Sequence, residues 1–186
     1  AIISSSLRKK GKLAKDTIVA TVMSNLGLNK YARDNGLELL QTKVGDRYVL
    51  EEMLKDGFNL GGEQSGHVIL LDYNPTGDGI LTSLMLIKSI LEENKKASQM
   101  AQMVKLYPQV LVNAKVNSEK KYGFKDDKEI KNAIEKLEKE FAGNGRVLIR
   151  PSGTEPLVRV MIEGEDQKYI QKKAEEIAKL IESKLK

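Results

Sequence analysis

The chain has 186 residues, 40% of them hydrophobic and 31% charged, with 31 basic against 26 acidic side chains and a net charge of +5. That length gives one domain or two small ones, each able to bury its own core. With no cysteine and a single histidine, disulfides, thiolate metal sites, cysteine nucleophiles and multi-histidine zinc sites are excluded. No apolar run approaches the roughly 18–20 residues of a membrane span, and the opening Ala1-Ile2-Ile3-Ser4-Ser5-Ser6 is too short for a secretory signal. The expectation is a globular, cytoplasmic chain with no membrane partner. Aromatic residues are only 5% and the basic excess forms no block, which argues against a nucleic-acid partner and leaves binding of a small anion open.

In chain order, Arg8-Lys9-Lys10-Gly11-Lys12 reads as a frayed basic end. Thr17–Met23 is an unbroken β-branched run, the pattern of a strand buried on both faces. Ser24-Asn25 caps a short helix to Arg33, which Asn35-Gly36 stops. Leu37–Thr42 reads as a second strand and Tyr48–Lys55 as a helix ended by Gly57. Phe58–Leu60 and His67–Leu71 are short strands flanking a glycine-rich turn. Asp78 caps a long apolar helix, Gly79 to Glu93, with Leu81, Leu84, Lys88 and Leu91 on one side and Ile80, Ile87 and Ile90 on others; such a helix is expected to be buried over most of its surface. Strands alternating with helices predict an α/β layer with a mixed sheet.

After a polar stretch and a short helix, Pro108 marks a break. Beyond it come a strand (109–116), a helix (127–142), two strands (146–150 and 157–163) and a last helix (167–185). Ile130, Ile134, Leu137 and Phe141 form one apolar stripe, and Ile170, Ala174, Ile177, Ile181 and Leu185 another. Two amphipathic helices with three or four strands predict a small two-layer α+β sandwich. The expected division is residues 1–13 as the remnant of a preceding domain or an appended end, 14–106 as an α/β domain, and 107–186 as an α+β domain.

Three segments carry chemistry. Arg150-Pro151-Ser152-Gly153-Thr154-Glu155-Pro156 is a proline-bounded loop offering a guanidinium, two hydroxyls and the amides around Gly153, which is equipment for a phosphate. Arg159 adds a second cation if it faces the loop. The same residues also make good turn chemistry. In Gly61-Gly62-Glu63-Gln64-Ser65-Gly66-His67, an extended backbone would set Glu63, Ser65 and His67 on one side, suited to a sugar ring, with the glycines admitting a ligand close to the backbone. A surface hairpin is the alternative. Thr42–Tyr48 is a strand-to-helix turn where Gly45 and Arg47 can meet an anion, while Asp46 serves equally as a helix cap. Asp72, Asp78 and Asp126-Asp127 read as caps and turns, and no spacing suggests a metal site.

Taken in order, Val19–Asn25, Val44–Tyr48, Gly62–His67 and Arg150–Val160 resemble the α-D-phosphohexomutases, and within them the members acting on glucosamine phosphates. The resemblance covers nearly the whole chain from about residue 13, but only the third and fourth of the family's four domains. It implies a sugar-binding α/β domain followed by a TATA-binding-protein-like two-layer α+β sandwich. It further implies a phosphorylated hexosamine substrate, with glucosamine 6-phosphate and glucosamine 1-phosphate interconverted through a phosphoserine enzyme and a bisphosphorylated sugar. Glu63 and Ser65 would hold sugar hydroxyls, with Gly45, Asp46 and Arg47 lining the cleft. His67 would lie near the reacting oxygens, and Arg150, Ser152, Gly153, Thr154 and Arg159 would clamp the phosphate that is not transferring. The seryl nucleophile and the Mg2+ loop belong to the missing N-terminal domains of the same polypeptide, so this chain alone is expected to be inactive. A homodimer is compatible with the resemblance. The remaining readings are a phosphomannomutase or phosphoglucomutase of the same family, a non-catalytic phosphosugar-binding module, and a nucleic-acid module built on the C-terminal sandwich.

Overall fold

The apolar run at Thr17 becomes strand β1 (Thr17–Thr21), buried at every residue and central in a four-stranded sheet of order β2-β1-β3-β4. The computed structural model describes residues 1–186, which divide into two compact units, Ala1–Leu106 and Tyr107–Lys186. No helix is long and apolar enough to cross a membrane.

In the first unit, β2 (Glu38–Thr42) and β3 (Leu60–Gly62) run parallel to β1, and β4 (Val68–Leu70) closes an antiparallel hairpin with β3. Alternation along the strands builds three layers. Ile18 and Leu39 turn to one core with Tyr31, Ala32, Leu60 and Leu70. Val19 and Leu40 turn to the other with Val49, Met53, Phe58 and Ile69. Helix α2 (Leu26–Asp34) begins where the Asn25 side chain accepts the Gly27 N–H, and α3 (Asp46–Asp56) ends at left-handed Gly57. Helix α4 (Gly79–Glu93) starts on the Asp78 carboxylate, and the short α5 (Ala97–Ala101) follows.

Two expectations change here. The basic stretch Arg8–Lys12 is no frayed end: it closes α1 (Ile2–Lys9), which with Leu13 places Ile3 and Leu7 in the first core, while Arg8 pairs with Asp16, Lys9 with Glu93 and Lys10 with Glu92. Nor is α4 buried on most of its surface. Only Ser89 is fully enclosed and Leu81 and Met85 pack on the core, whereas Ile80, Leu84, Ile87 and Leu91 are exposed. One side of the helix suffices to cover the sheet, so the remaining apolar residues have no surface of this unit to meet.

The second unit is a three-stranded antiparallel sheet, β5-β7-β6, made of β5 (Gln109–Lys115), β6 (Arg146–Pro151) and β7 (Leu157–Glu163). Its inner face (Val110, Ala114, Val158, Val160, Ile162) packs on α6 (Lys128–Phe141) through Ile130 and Leu137, and on α7 (Gln167–Leu185) through Ile170, Ala174, Ile177 and Ile181. Asp127 and Asp166 cap these helices through their carboxylates. Pro151 is accommodated because β6 lies at the sheet edge, where a missing N–H breaks no central ladder.

Gly61 is where β3 and α3 meet. A methyl group there would lie 2.5 Å from Met53 Sδ and 2.6 Å from Val49 Cγ1, both on fully buried side chains. Gly61→Ala is therefore expected to destabilise the protein by about 1–3 kcal/mol through overpacking, read as a lower denaturant midpoint with unchanged m-value.

Candidate functional site

The phosphate-type loop is built by strand register. Arg150 on β6 stands directly opposite Arg159 on β7, and Arg159 opposite Asn113 on β5. Directly paired residues of an antiparallel ladder project to the same face with Cβ atoms about 4.5–5.5 Å apart. This face lies away from the helices, since Val158 and Val160, flanking Arg159 in sequence, fill the core. Two guanidinium groups are thus held side by side, an arrangement that is unfavourable without an anion. Arg150 Nε is buried and has no hydrogen-bond partner. Desolvation, and then the charge of Arg159, hold the Arg150 pKa below the usual arginine value.

The loop between the strands supplies the remaining donors. The Ser152 N–H donates to the Leu157 carbonyl at 2.8 Å and pins the bend. Ser152 Oγ, nearly enclosed, accepts the Glu155 N–H at 3.2 Å and reaches Glu155 Oε2 at 3.4 Å, while Arg159 Nη2 donates to that same oxygen at 3.1 Å. Arg159 thus has an internal carboxylate partner in Glu155. Gly153 and Thr154 are exposed at the tip, and a methyl group on Gly153 would meet nothing within 4 Å. No internal packing requires that glycine, and the space beside it is open.

A residue that sequence reasoning passed over joins this loop. Lys121, between β5 and α6, donates from Nζ to the Ser152 carbonyl at 3.1 Å. It lies in an unremarkable Lys120-Lys121-Tyr122 stretch, and only the folded path of the chain brings it to the loop. Asn113 was missed in the same way, since its place in the arginine row depends on pairing.

In the first unit the candidate residues gather at the carboxyl ends of the parallel strands. Asn25 follows β1, Gly45 follows β2 and Glu63 follows β3. The chain leaves β1 toward β2 on one side and β3 toward β4 on the other, which makes the crevice beyond β1 and β3 the position where open α/β sheets bind ligands. Glu63 Oε2 accepts the Gly45 N–H at 2.9 Å, so two of the loops are joined. Gly45, at φ +131°, is the N-cap of α3, and Asp46 is its first residue, its Oδ1 accepting the Arg47 N–H.

The extended arrangement of Glu63, Ser65 and His67 does not form. The Gly66 N–H donates to the Glu63 carbonyl and the Glu63 N–H to the His67 carbonyl, closing a tight hairpin turn with Gly66 at φ +105°. Glu63 turns to Gly45, while Ser65 Oγ and His67 Nδ1 lie 3.1 Å apart on the exposed turn. The glycines before the turn also serve the fold: Gly61 admits α3, and Gly62 passes close to the His67 carbonyl, 2.7 Å from where its Cβ would lie. Arg47 is mostly solvent-exposed and pairs with Glu51 on its own helix at 2.7 Å, which raises its pKa. No three or more carboxylate or imidazole side chains gather to hold a metal ion, so the residues of this chain do not fit a magnesium site. A cavity of about 460 Å³ at the β1–β3 crevice is lined by apolar residues, among them Leu28, Leu60, Leu86 and Val104, and by the polar residues Ser24, Asn25, Glu63 and Gln64.

Residues 1–107 match the family model for phosphoglucomutase/phosphomannomutase alpha/beta/alpha domain III, and residues 111–180 that for the C-terminal domain of the same family. The phosphoglucosamine mutase of Ruminiclostridium cellulolyticum is 58% identical over 185 residues, covering 100% of this chain and 41% of that protein. The chain thus spans about two fifths of the length of the curated relatives it matches. Two solved structures of Aspergillus fumigatus N-acetylphosphoglucosamine mutase share the fold. One is in complex with glucose 1,6-bisphosphate (TM-score 0.75, 19% identity, 98% of this chain and 41% of that one). The other is in complex with GlcNAc-6P and magnesium (TM-score 0.72, 18% identity, 98% and 42%).

The opposed arginines have a measurable consequence. Removing one charge relieves the repulsion, so Arg150→Leu is expected to leave the unfolding free energy of the ligand-free chain unchanged or raise it by up to about 1 kcal/mol. A structural arginine would instead lower it, and chemical denaturation distinguishes the two.

Proposed function

The chain belongs to the phosphoglucomutase/phosphomannomutase family, the α-D-phosphohexomutases, and on that premise we propose that it is the C-terminal half of a cytoplasmic phosphoglucosamine mutase. The 58% identity to a relative of that name supports the amino-sugar substrate over the other hexoses of the family. The reaction interconverts glucosamine 6-phosphate and glucosamine 1-phosphate through a phosphoserine enzyme and a bisphosphorylated sugar. The seryl nucleophile and the magnesium ligands belong, on this reading, to the rest of the polypeptide.

The observation that carries this reading is the Arg150–Arg159 pair with its unpartnered Arg150 Nε. A phosphate entering the bend takes two planar donor forks and the Ser152 and Thr154 hydroxyls, together with the amide beside Gly153. It displaces the Glu155 carboxylate from Arg159, so one internal anion is exchanged for a more highly charged one. Lys121 holds the bend in place through the Ser152 carbonyl. This grip belongs to the phosphate that stays on the sugar, and it fixes the ring while the other end reacts. In the first unit, Glu63 is anchored by the Gly45 N–H through one carboxylate oxygen and offers the other to sugar hydroxyls. The contact between Ser65 and His67 orients the imidazole, placing a proton donor or acceptor near the reacting oxygens. Asp46 and Arg47 line the same end of the sheet.

Titration with glucosamine 6-phosphate tests this. The 186-residue chain alone is expected to bind weakly and to show no turnover. In the complete polypeptide, Arg150→Ala is expected to lower kcat/KM by about 10- to 100-fold, the loss of a charge-assisted contact of about 1.5–3 kcal/mol. Turnover by the isolated chain, an Arg150→Ala enzyme with unchanged kcat/KM, or faster turnover of glucose or mannose phosphates would each overturn the assignment. Gly153→Ala is expected to keep the stability of the parent, given the open space at that site, while weakening phosphosugar binding in a calorimetric titration.

A further inference from the structure

Helix α4 has two apolar faces, and the fold uses one. Leu81, Met85 and buried Ser89 turn toward the unit's interior. At 3.6 residues per turn, Ile80, Leu84, Ile87 and Leu91 fall within about 60° of arc on another side and run for about 16 Å along the axis. They are 78%, 60%, 54% and 73% exposed. Four aliphatic side chains of this exposure present roughly 500 Å² of apolar surface, near the upper end of what single soluble domains leave uncovered.

We propose that this stripe is the docking face for the remaining domains of the same polypeptide, the portion that the relatives carry beyond the 41% matched here. The matched segments are a family's third domain and its C-terminal domain, so the covering partner is the first part of the chain. Size favours a tethered partner over a second copy. The stripe falls short of the roughly 800 Å² per partner that a stable association of separate molecules uses. A domain held on the same chain docks at high effective concentration and needs less contact. The inference rests on family membership for the existence of those domains, and on nothing in the phosphate clamp.

The sequence contains no cysteine, so a single introduced thiol is a clean reporter. Leu84→Cys and, separately, Ile80→Cys are made in the 186-residue chain and in that chain fused behind the N-terminal portion of the Ruminiclostridium cellulolyticum relative. Lys131→Cys, on exposed α6, is the control. Alkylation by a maleimide is followed by peptide mass spectrometry. Residues 80 and 84 are expected to react at least about tenfold more slowly in the fusion, with residue 131 unchanged. Equal rates in the two proteins would overturn the proposal. So would protection in the 186-residue chain that grows with its concentration, since a second copy would then be the occupant. Mutase activity is not the readout, so failure here is separable from failure of the assignment above.

Discussion

Two like charges forced together by strand pairing govern the chemistry of the second unit. Antiparallel register leaves Arg150 no place except opposite Arg159, and the buried Arg150 Nε meets no hydrogen-bond acceptor of the chain. Such an arrangement costs stability and persists because hydrophobic contacts on the other face of the same strands exceed that cost. Glu155 softens the repulsion by pairing with Arg159 and Ser152. Lys121 and the Ser152–Leu157 hydrogen bond fix the loop's backbone.

The first unit solves a different problem, that of bringing Asn25, Gly45 and Glu63, far apart in sequence, to one edge. Parallel strands do this without further devices, because every strand ends on the same side of the sheet. The Gly45–Glu63 hydrogen bond joins two of those ends, and the tight turn after Glu63 puts Ser65 against His67. The glycines nearby are explained mainly by packing. Gly61 lets α3 settle on the sheet, while at Gly45 and Gly66 the backbone takes a positive φ. Helix α4 shows the complementary case, where apolar residues exceed what the unit can bury. Apolar content is a property of the sequence, whereas burial depends on what lies opposite, and this chain spans only part of its relatives' length.

Much of the framework was legible residue by residue. The carboxylates or amide of Asn25, Asp78, Asp127 and Asp166 sit at the starts of α2, α4, α6 and α7, and the apolar stripes of α6 and α7 face the core as their spacing requires. These signals are local: a cap acts within three residues and a stripe within one helix. The Arg150–Glu155 loop was visible for the same reason, since its donors are consecutive. Tertiary structure alone decided that Arg150 faces Arg159 and Asn113, that Lys121 reaches Ser152, that Glu63 turns to Gly45 instead of aligning with His67, and which side of α4 stays bare. Each of these depends on strand register, hairpin closure or the supply of covering surface, and none of those is encoded within the span of a single turn or helix.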